Sequence, residues 1–408
     1  MKILQIGDIH IRDKDIEEIE RCLNYIVNIA ISETPDIIIN TGDTFDSAGI
    51  KADSLSAKLI FRVFKELADI SPVVIIIGTS SHDGQVAETL QYIKSKYPVH
   101  VSTVPEQLYL CEGDIKANIA EIEAPDQAPI EAIISMVPAP TKQFFTHASD
   151  IKTSDMRIAS EMSKMFMGFA TQASEHDCPH LLVGHWQTDG AFVSETQSLT
   201  GIDISLSKDQ MALGNFNLVC LGHLHLAQEL KPNIFYSGSI ISLTWGELED
   251  KGFYIHEFKG KELMKSRFIK TPSDKRIKLS ENLTDGAKLA NLTGIPLMDM
   301  LLPSGPTDIQ NAAVKVEIKV FQDEAQKINT KELEESILAN GAKSVNVQII
   351  RIPRENVRSQ NILKLTTLRD KLNEMAALKN ETVSEAILAK ADLLETEEAE
   401  KIIRRRVN

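Results

Sequence analysis

Residues 2–10 read Lys2-Ile3-Leu4-Gln5-Ile6-Gly7-Asp8-Ile9-His10. A short apolar run reaches a glycine and then delivers an aspartate and a histidine two positions apart. On extended backbone alternate side chains share a face, so Asp8 and His10 can approach one cation. One Asp-x-His pair says little alone. Four more strand-like runs end in the same chemistry: Gly42-Asp43, Gly78 through His82-Asp83, Gly184-His185, and Gly222-His223-Leu224-His225.

Between these motifs the period alternates between two and about 3.6. Ile16, Ile19, Leu23, Ile26, Val27 and Ala30 form one helical face, and Pro35 follows its end. Residues 36–40 and 72–77 are continuous apolar runs suited to strands covered on both faces, and residues 53–67 predict a helix between them. This β-α-β-α-β order predicts an α/β fold whose site lies beyond the carboxyl ends of its strands. Residues 84–95 predict a short helix. Residues 115–122 and 130–137 predict strands joined by a turn around Pro125 and Pro129. Residues 154–173 predict a helix with core-filling methionines, and residues 191–209 a Ser/Thr/Gly-rich surface excursion.

From about Thr271 proline and glycine punctuate the chain. The expected domains are a catalytic domain over 1–270, a connector over 271–310, a small β-α-β accessory domain over 311–355, and a helical region over 356–408. The accessory unit rests on the alternation of Val314 to Val320, a helix over 330–339 stopped by Gly341, and a strand over 345–352. In the tail, Leu365, Leu368, Leu372 and Met375 mark one helical face; Val383, Ile387, Ala391 and Leu394 mark another.

Composition bounds the function. The 408 residues are 43% hydrophobic, enough for a large core and smaller domains, and the net charge of −14 excludes a uniformly basic nucleic-acid coat. A local basic patch or bound cations can still reverse the field where it matters. Cys22, Cys111, Cys178 and Cys220 show no paired ligand spacing and read as reduced, buried thiols of a cytoplasmic protein. No signal-peptide organisation and no run long enough to cross a bilayer is expected.

Five ligand-bearing loops exceed what one ion needs. Two adjacent divalent cations would share a bridging carboxylate, and Asp43, after a buried strand and a tight glycine, is the natural bridge. One ion would take Asp8, His10 and His225, the other His185 and His223. Mixed carboxylate and imidazole ligands suit manganese, iron or zinc better than magnesium.

These motifs, in this order over residues 1–260, resemble the calcineurin-like metallophosphoesterases. Gly42-Asp43-Thr44-Phe45-Asp46, the accessory unit and the helical tail are similar to the SbcD-type nuclease subunits that pair with an SMC-like ATPase in DNA break repair. The resemblance implies a layered metallophosphoesterase β-sandwich flanked by helices. It also implies one manganese site from Asp8, His10, Asp43 and His225, and a second to which Asp43, His185 and His223 contribute. It implies a DNA phosphodiesterase with exonuclease or endonuclease action, and leaves open whether two copies pair as a homodimer.

The third motif departs from the family's Gly-Asn-His-Asp: here it is Gly78-Thr79-Ser80-Ser81-His82-Asp83. Ser81 stands directly before the histidine and is the expected substitute ligand, with Thr79 as its competitor. His82 is the expected catalytic imidazole and Asp83 its orienting partner or a backbone acceptor. Asp46, where relatives can carry histidine, is expected to accept a hydrogen bond beside the site. His147, His176 and His180 fit no motif and read as structural or solvent-facing; Trp186 and Tyr236 read as packing that could flank the cleft. Lys270, Arg276, Lys278, Lys315 and Lys319 could meet phosphates or form a solvated charged face. A small-molecule phosphoesterase and a catalytically weak repair scaffold are the competing functions.

Overall fold

In a computed structural model of the chain the described residues are 1–117, 129–140, 151–194, 197, 204–284, 301, 309–353, 362, 364–378 and 381–395, without the side chains of 151–156. The turn around Pro125, His147 and the chain end beyond residue 395 lie outside them.

Two units compose the chain. The first holds residues 1–280, 294–317 and 330–348, the second 281–293, 318–329 and 349–408. The first unit opens with β1 (Lys2–Ile6), α1 (Ile16–Glu33), β2 (Ile37–Asn40), α2 (Leu55–Ala68) and β3 (Val73–Ile76). The predicted helix over 84–95 is instead a four-residue turn, α3 (Gln85–Glu88), running into a 3-10 turn at Thr89–Tyr92. There follow β4 (Val99–Ser102), β5 (Glu106–Cys111), β6 (Asp114–Lys116), β7 (Ala132–Val137), α4 (Ile151–Ala173) and β8 (His180–His185). After β9 (Gln187–Thr188) and β10 (Ser205–Leu206) come α5 (Lys208–Ala212), β11 (Leu218–Gly222), β12 (Gln228–Lys231), β13 (Ile234–Tyr236), β14 (Gly252–Lys259) and β15 (Glu262–Lys270).

Six strands in the order β15-β14-β1-β2-β3-β4 form one mixed sheet; seven in the order β12-β13-β11-β8-β7-β5-β6 form another. Strand parity assigns each side chain to a layer. Ile3, Ile37, Ile39, Val74 and Ile76 pack between the sheets against Leu181, Val183, Leu218 and Cys220. Their alternates Leu4, Ile6, Ile38, Val73 and Ile75 meet the buried stripes of α1 and α2. Leu182, Val219 and Leu221 meet Ile158, Met162 and Phe166 of α4 on the far side. The result is two mixed sheets flanked by helices, and the doubly covered strands explain the continuous apolar runs of the sequence.

Local signals set the helix ends. Ser54 caps α2, its side chain accepting from the Ala57 N–H, an interaction worth ~1 kcal/mol. Thr34 ends α1 in the left-handed region at φ 46°, and Pro35 follows.

Polar residues occupy the inter-sheet layer at one point. Gln5 donates to the carbonyls of Leu221 (3.4 Å) and Phe235 (3.2 Å) and accepts from His256 Nε2, 2.9 Å away. This cross-links the sheets beneath the strand ends that carry the motifs.

Three more strands, β16 (Arg276–Asn282), β17 (Ala313–Phe321) and β18 (Ser344–Ile352), form a separate sheet with β17 central. Their early residues belong to the first unit and their last to the second. Between β17 and β18 runs α6 (Thr330–Ala339). The second unit also holds α7 (Leu368–Leu378) and α8 (Glu385–Leu394), tied together by Arg369, which pairs with Glu385 (3.1 Å) and Asp392 (2.7 Å). Among the described residues no helix is long and apolar enough to cross a membrane.

Candidate metal centre

The loops after β1 and β2 are zipped together by main-chain hydrogen bonds. Asp8 N–H donates to the Gly42 carbonyl, His10 N–H to that of Asp43 and Ile11 N–H to that of Thr44, all at 3.0 Å. Gly42 sits at φ 92°, and a β-carbon there would lie 2.8 Å from Gly78 Cα and 3.0 Å from His185 Nδ1. One at Gly78 would fall 2.2 Å from Asp43 Oδ1. Both positions must be bare for the loops to close.

Eight non-glycine residues have positive φ among the described residues, and four are sequence-predicted ligands: Asp8 (46°), His10 (45°), Asp43 (50°) and His223 (93°). Backbone strain is thus concentrated where the ligands sit, as it is at functional sites.

The side chains converge. Asp8, His10 and His225 place ligand atoms within 4.8 Å of one another; so do Asp8, Asp43 and His185, and so do His10, Asp43 and His82. Asp8, His10 and Asp43 each belong to two groups. Asp8, His10, Asp43 and His185 are buried. The His223 ring meets that of His185 edge-on at 5.3 Å.

The donor set fits divalent cations. His185 donates its Nδ1–H to the Thr41 carbonyl at 2.7 Å, which leaves Nε2, 3.2 Å from Asp43 Oδ2, as the ring atom a metal would take in place of a proton. His10 Nε2 is buried without a hydrogen-bond partner, 3.6 Å from Asp43 Oδ2 and 4.0 Å from Asp8 Oδ1. A cation between these groups would satisfy it and offset two neighbouring buried carboxylates.

The electrostatics carry the same imprint. Burial raises the Asp8 carboxyl to about 6, against the pull of His185 and His225. Burial opposes ionisation of Asp43 too, yet the charge and hydrogen bond of His185 hold it well below the usual carboxylate range. Burial drives His10 well below its ordinary value. His185 is also penalised by burial, but the Asp43 charge prevails and lifts it to about 9.

The third motif is arranged differently from the sequence expectation. Ser81 is exposed and its carbonyl accepts from Ala48 N–H (2.9 Å). Thr79 is the residue at the cluster: its N–H donates to Asp43 Oδ1 (2.6 Å), and its hydroxyl lies 3.2 Å from Asp43 Oδ2 and 3.3 Å from His185 Nε2. Two serines between Thr79 and His82 lengthen the turn and carry Ser81 outward. Asp83 is buried, accepting from Phe45 N–H (3.1 Å) and Gly78 N–H (2.9 Å), so it braces the loops rather than the His82 ring. Burial, then the Asp43 charge, raises it to about 7. The His82 ring is held by the Asp46 carbonyl, while the Asp46 carboxylate lies 3.4 Å from Arg12 and 4.0 Å from His10.

Residues that no motif announced complete the site. The buried pair Glu247 and Lys251, 2.7 Å apart, stands behind His225: Lys251 Nζ donates to its carbonyl (3.2 Å), and Glu247 Oε1 is 3.9 Å from its ring. Gln197 bonds the main chain on both sides of the same turn. Acid–lysine spacing at i, i+4 is the only sequence signal for the first; Gln197 has none. Elsewhere, His180 is buried against Ser135 (2.8 Å), and the Tyr236 hydroxyl donates to the Trp186 carbonyl (2.7 Å), both rings buried.

The calcineurin-like phosphoesterase family profile matches residues 1–227. The chain belongs to the calcineurin-like phosphoesterases. It is accordingly a metallophosphoesterase-type hydrolase whose Asp/His clusters can hold divalent cations. The SbcCD nuclease D-subunit from Staphylococcus saprophyticus is 24% identical over 270 residues, spanning 64% of this phosphoesterase and 67% of that relative. A solved structure of a dimetal phosphatase from Danio rerio overlays 66% of the chain and 99% of its own at 11% identity, with a TM-score of 0.38.

Proposed function

We propose that this phosphoesterase is a two-cation DNA phosphodiesterase that processes DNA breaks with an SMC-like ATPase. The observation that carries the hydrolytic part is the sharing of Asp8, His10 and Asp43 among three ligand-distance groups. Asp8, His10, Asp43 and His225 would hold one cation; Asp43, His185 and His223, with the Thr79 hydroxyl beside them, the other. Mixed oxygen and imidazole donors favour manganese. Bound divalent cations supply charge neutralisation of the phosphodiester and activation of water.

The chain's own groups do the rest. His82 is partly exposed at the cluster; with Nδ1–H committed to the Asp46 carbonyl, its Nε2 is left to meet the developing charge or protonate the leaving oxygen. Arg12, bonded to Asp15, Asp46 and the Leu243 carbonyl, fixes the loop that presents Asp46.

Support for DNA and for the ATPase comes from similarity to the SbcCD nuclease relative and from the tail. Met375, Ile387, Leu393 and Leu394 on α7 and α8 are exposed apolar residues suited to a partner helix or groove. Among the expected phosphate-contacting cations, Lys270 pairs with Asp250, Arg276 with Asp15 and Glu18, and Lys278 and Lys315 with Glu317. Phosphate binding there would have to compete with these acids.

The test is cleavage of defined single- and double-stranded DNA with manganese, with and without the ATPase. Metal-dependent cleavage stimulated by ATP is expected. Hydrolysis confined to small phosphodiesters, with DNA untouched under both conditions, would reject the DNA reading while leaving the hydrolase.

A further inference from the structure

The turn that carries His223 and His225 is held in a conformation an L residue resists. His223 has φ 93°, well beyond the left-handed minimum near 57° that non-glycine residues tolerate. Such a backbone persists only where its surroundings over-determine it. On one side the restraint is Asp8, whose Oδ1 and Oδ2 accept the His223 N–H at 2.9 and 3.2 Å. On the other it is Gln197. Its Nε2 donates to the His223 carbonyl at 2.7 Å, and its Oε1 accepts the His225 N–H at 3.1 Å. One partner is a carbonyl and the other an N–H, which fixes the orientation of the amide. Gln197 is itself anchored by its N–H to the Ser194 carbonyl at 3.0 Å.

We propose that Gln197 is a positioning residue of the cation site, its amide clamping the 223–225 turn so that the His225 imidazole stays within ligand reach of Asp8 and His10 and the His223 imidazole stays against His185. The role rests on the two-cation reading. It belongs to a segment whose sequence suggests only a surface excursion. Glutamine suits the task because its amide donates and accepts at once, matching the carbonyl and the N–H that bracket one turn. A side chain of similar volume lacking those two functions fills the space but leaves both backbone groups without the clamp.

The experiment titrates the metal-free full-length protein with manganese by calorimetry, for wild type, Gln197→Ala and Gln197→Met. Thermal unfolding of each metal-free protein is followed in parallel. Gln197→Met keeps the volume, so it also serves if the alanine variant does not fold. The clamp predicts at least one manganese site weakened about tenfold in each folded variant, within the range for groups that orient metal ligands. The metal-free melting temperature should move by no more than about 2 °C, and excess manganese should restore cleavage of a small phosphodiester. Wild-type manganese affinity in the variants would overturn the proposal, and so would a fall in metal-free stability with affinity unchanged. If wild type itself bound no manganese, the two-cation reading would fall with it; normal wild-type binding with unaffected variants removes only the role of Gln197.

Discussion

The His82 imidazole donates its Nδ1–H to the main-chain carbonyl of Asp46 across 2.8 Å, and its ring stands edge-on to that of His10 at 4.6 Å. The bond ties the lengthened 78–83 turn to the loop that follows Asp43, so His82 is aimed by backbone rather than by the acid beside it in sequence.

Replacing His82 with alanine should therefore leave the fold intact and lower the rate of phosphodiester cleavage at saturating manganese by about 10²–10⁴, the usual worth of a positioned general acid. Steady-state kinetics check this beside a manganese titration. An unchanged rate constant removes His82 from the chemical step. A full-strength rate recovered only at high manganese would make it a ligand instead, which its place among His10 and Asp43 permits.

The Glu247–Lys251 pair is buried on both sides, and Glu247 also accepts from Leu243 N–H (3.1 Å), Thr244 N–H (3.2 Å) and the Thr244 hydroxyl (2.7 Å). Glu247→Ala should cost up to roughly 3–5 kcal/mol, because it removes the nearest partner of a buried ammonium and leaves Lys251 only Glu249 (3.2 Å) and the His225 carbonyl (3.2 Å). Adding Lys251→Met should recover much of that. Denaturant unfolding measures both; a loss below about 1 kcal/mol in the single variant contradicts the assignment of the pair as a support for His225.

Two buried histidines away from the cation site contribute to the acid side of the stability profile. Burial lowers His256 to about 3 and His180 to about 4, from the ordinary 6.5. Below pH 6.5 the unfolded chain takes up protons that the native state refuses, so stability falls as pH falls toward those folded values. From pH 7 to 5 the loss is roughly 2 kcal/mol for each histidine. His256→Gln should flatten the dependence of unfolding on pH in that window. The same slope in wild type and variant would show that His256 is protonated in the native state.

Much of this arrangement is legible in the sequence, and the limits have physical causes. The continuous runs Ile37 to Ile39 and Val73 to Ile76 announce strands covered on both faces, and the glycines near the acidic and imidazole residues mark the strand ends. The convergence of Asp8, His10, Asp43, His185 and His225 follows once those ends share an edge. That Thr79 rather than Ser81 stands at the cluster is not legible, because turn length rather than proximity to His82 decides which hydroxyl points inward. Asp83 is similar: whether it meets an imidazole or two amides depends on loops 38 residues apart in sequence. Gln197 and Lys251 act on main-chain atoms 26 residues away, and such pairing leaves no local pattern.

Truncation before Ile362 removes α7 and α8. It should spare hydrolysis of small phosphodiesters, abolish binding of the ATPase and remove ATP-stimulated DNA processing. Calorimetry with the purified ATPase tests this. Equal affinity in full-length and truncated protein would place the docking surface elsewhere in the chain.

The central claim is that Asp43 joins two cations in one site. Its Oδ2 lies 3.6 Å from His10 Nε2 and 3.2 Å from His185 Nε2, within reach of both groups of ligands. The most direct measurement is anomalous scattering from crystals soaked in manganese, wild type against Asp43→Ala. Two neighbouring peaks flanking Asp43 in wild type, both lost or strongly reduced in the variant, are the predicted result. A single peak at saturating manganese in wild type, or two peaks undisturbed by Asp43→Ala, would contradict it.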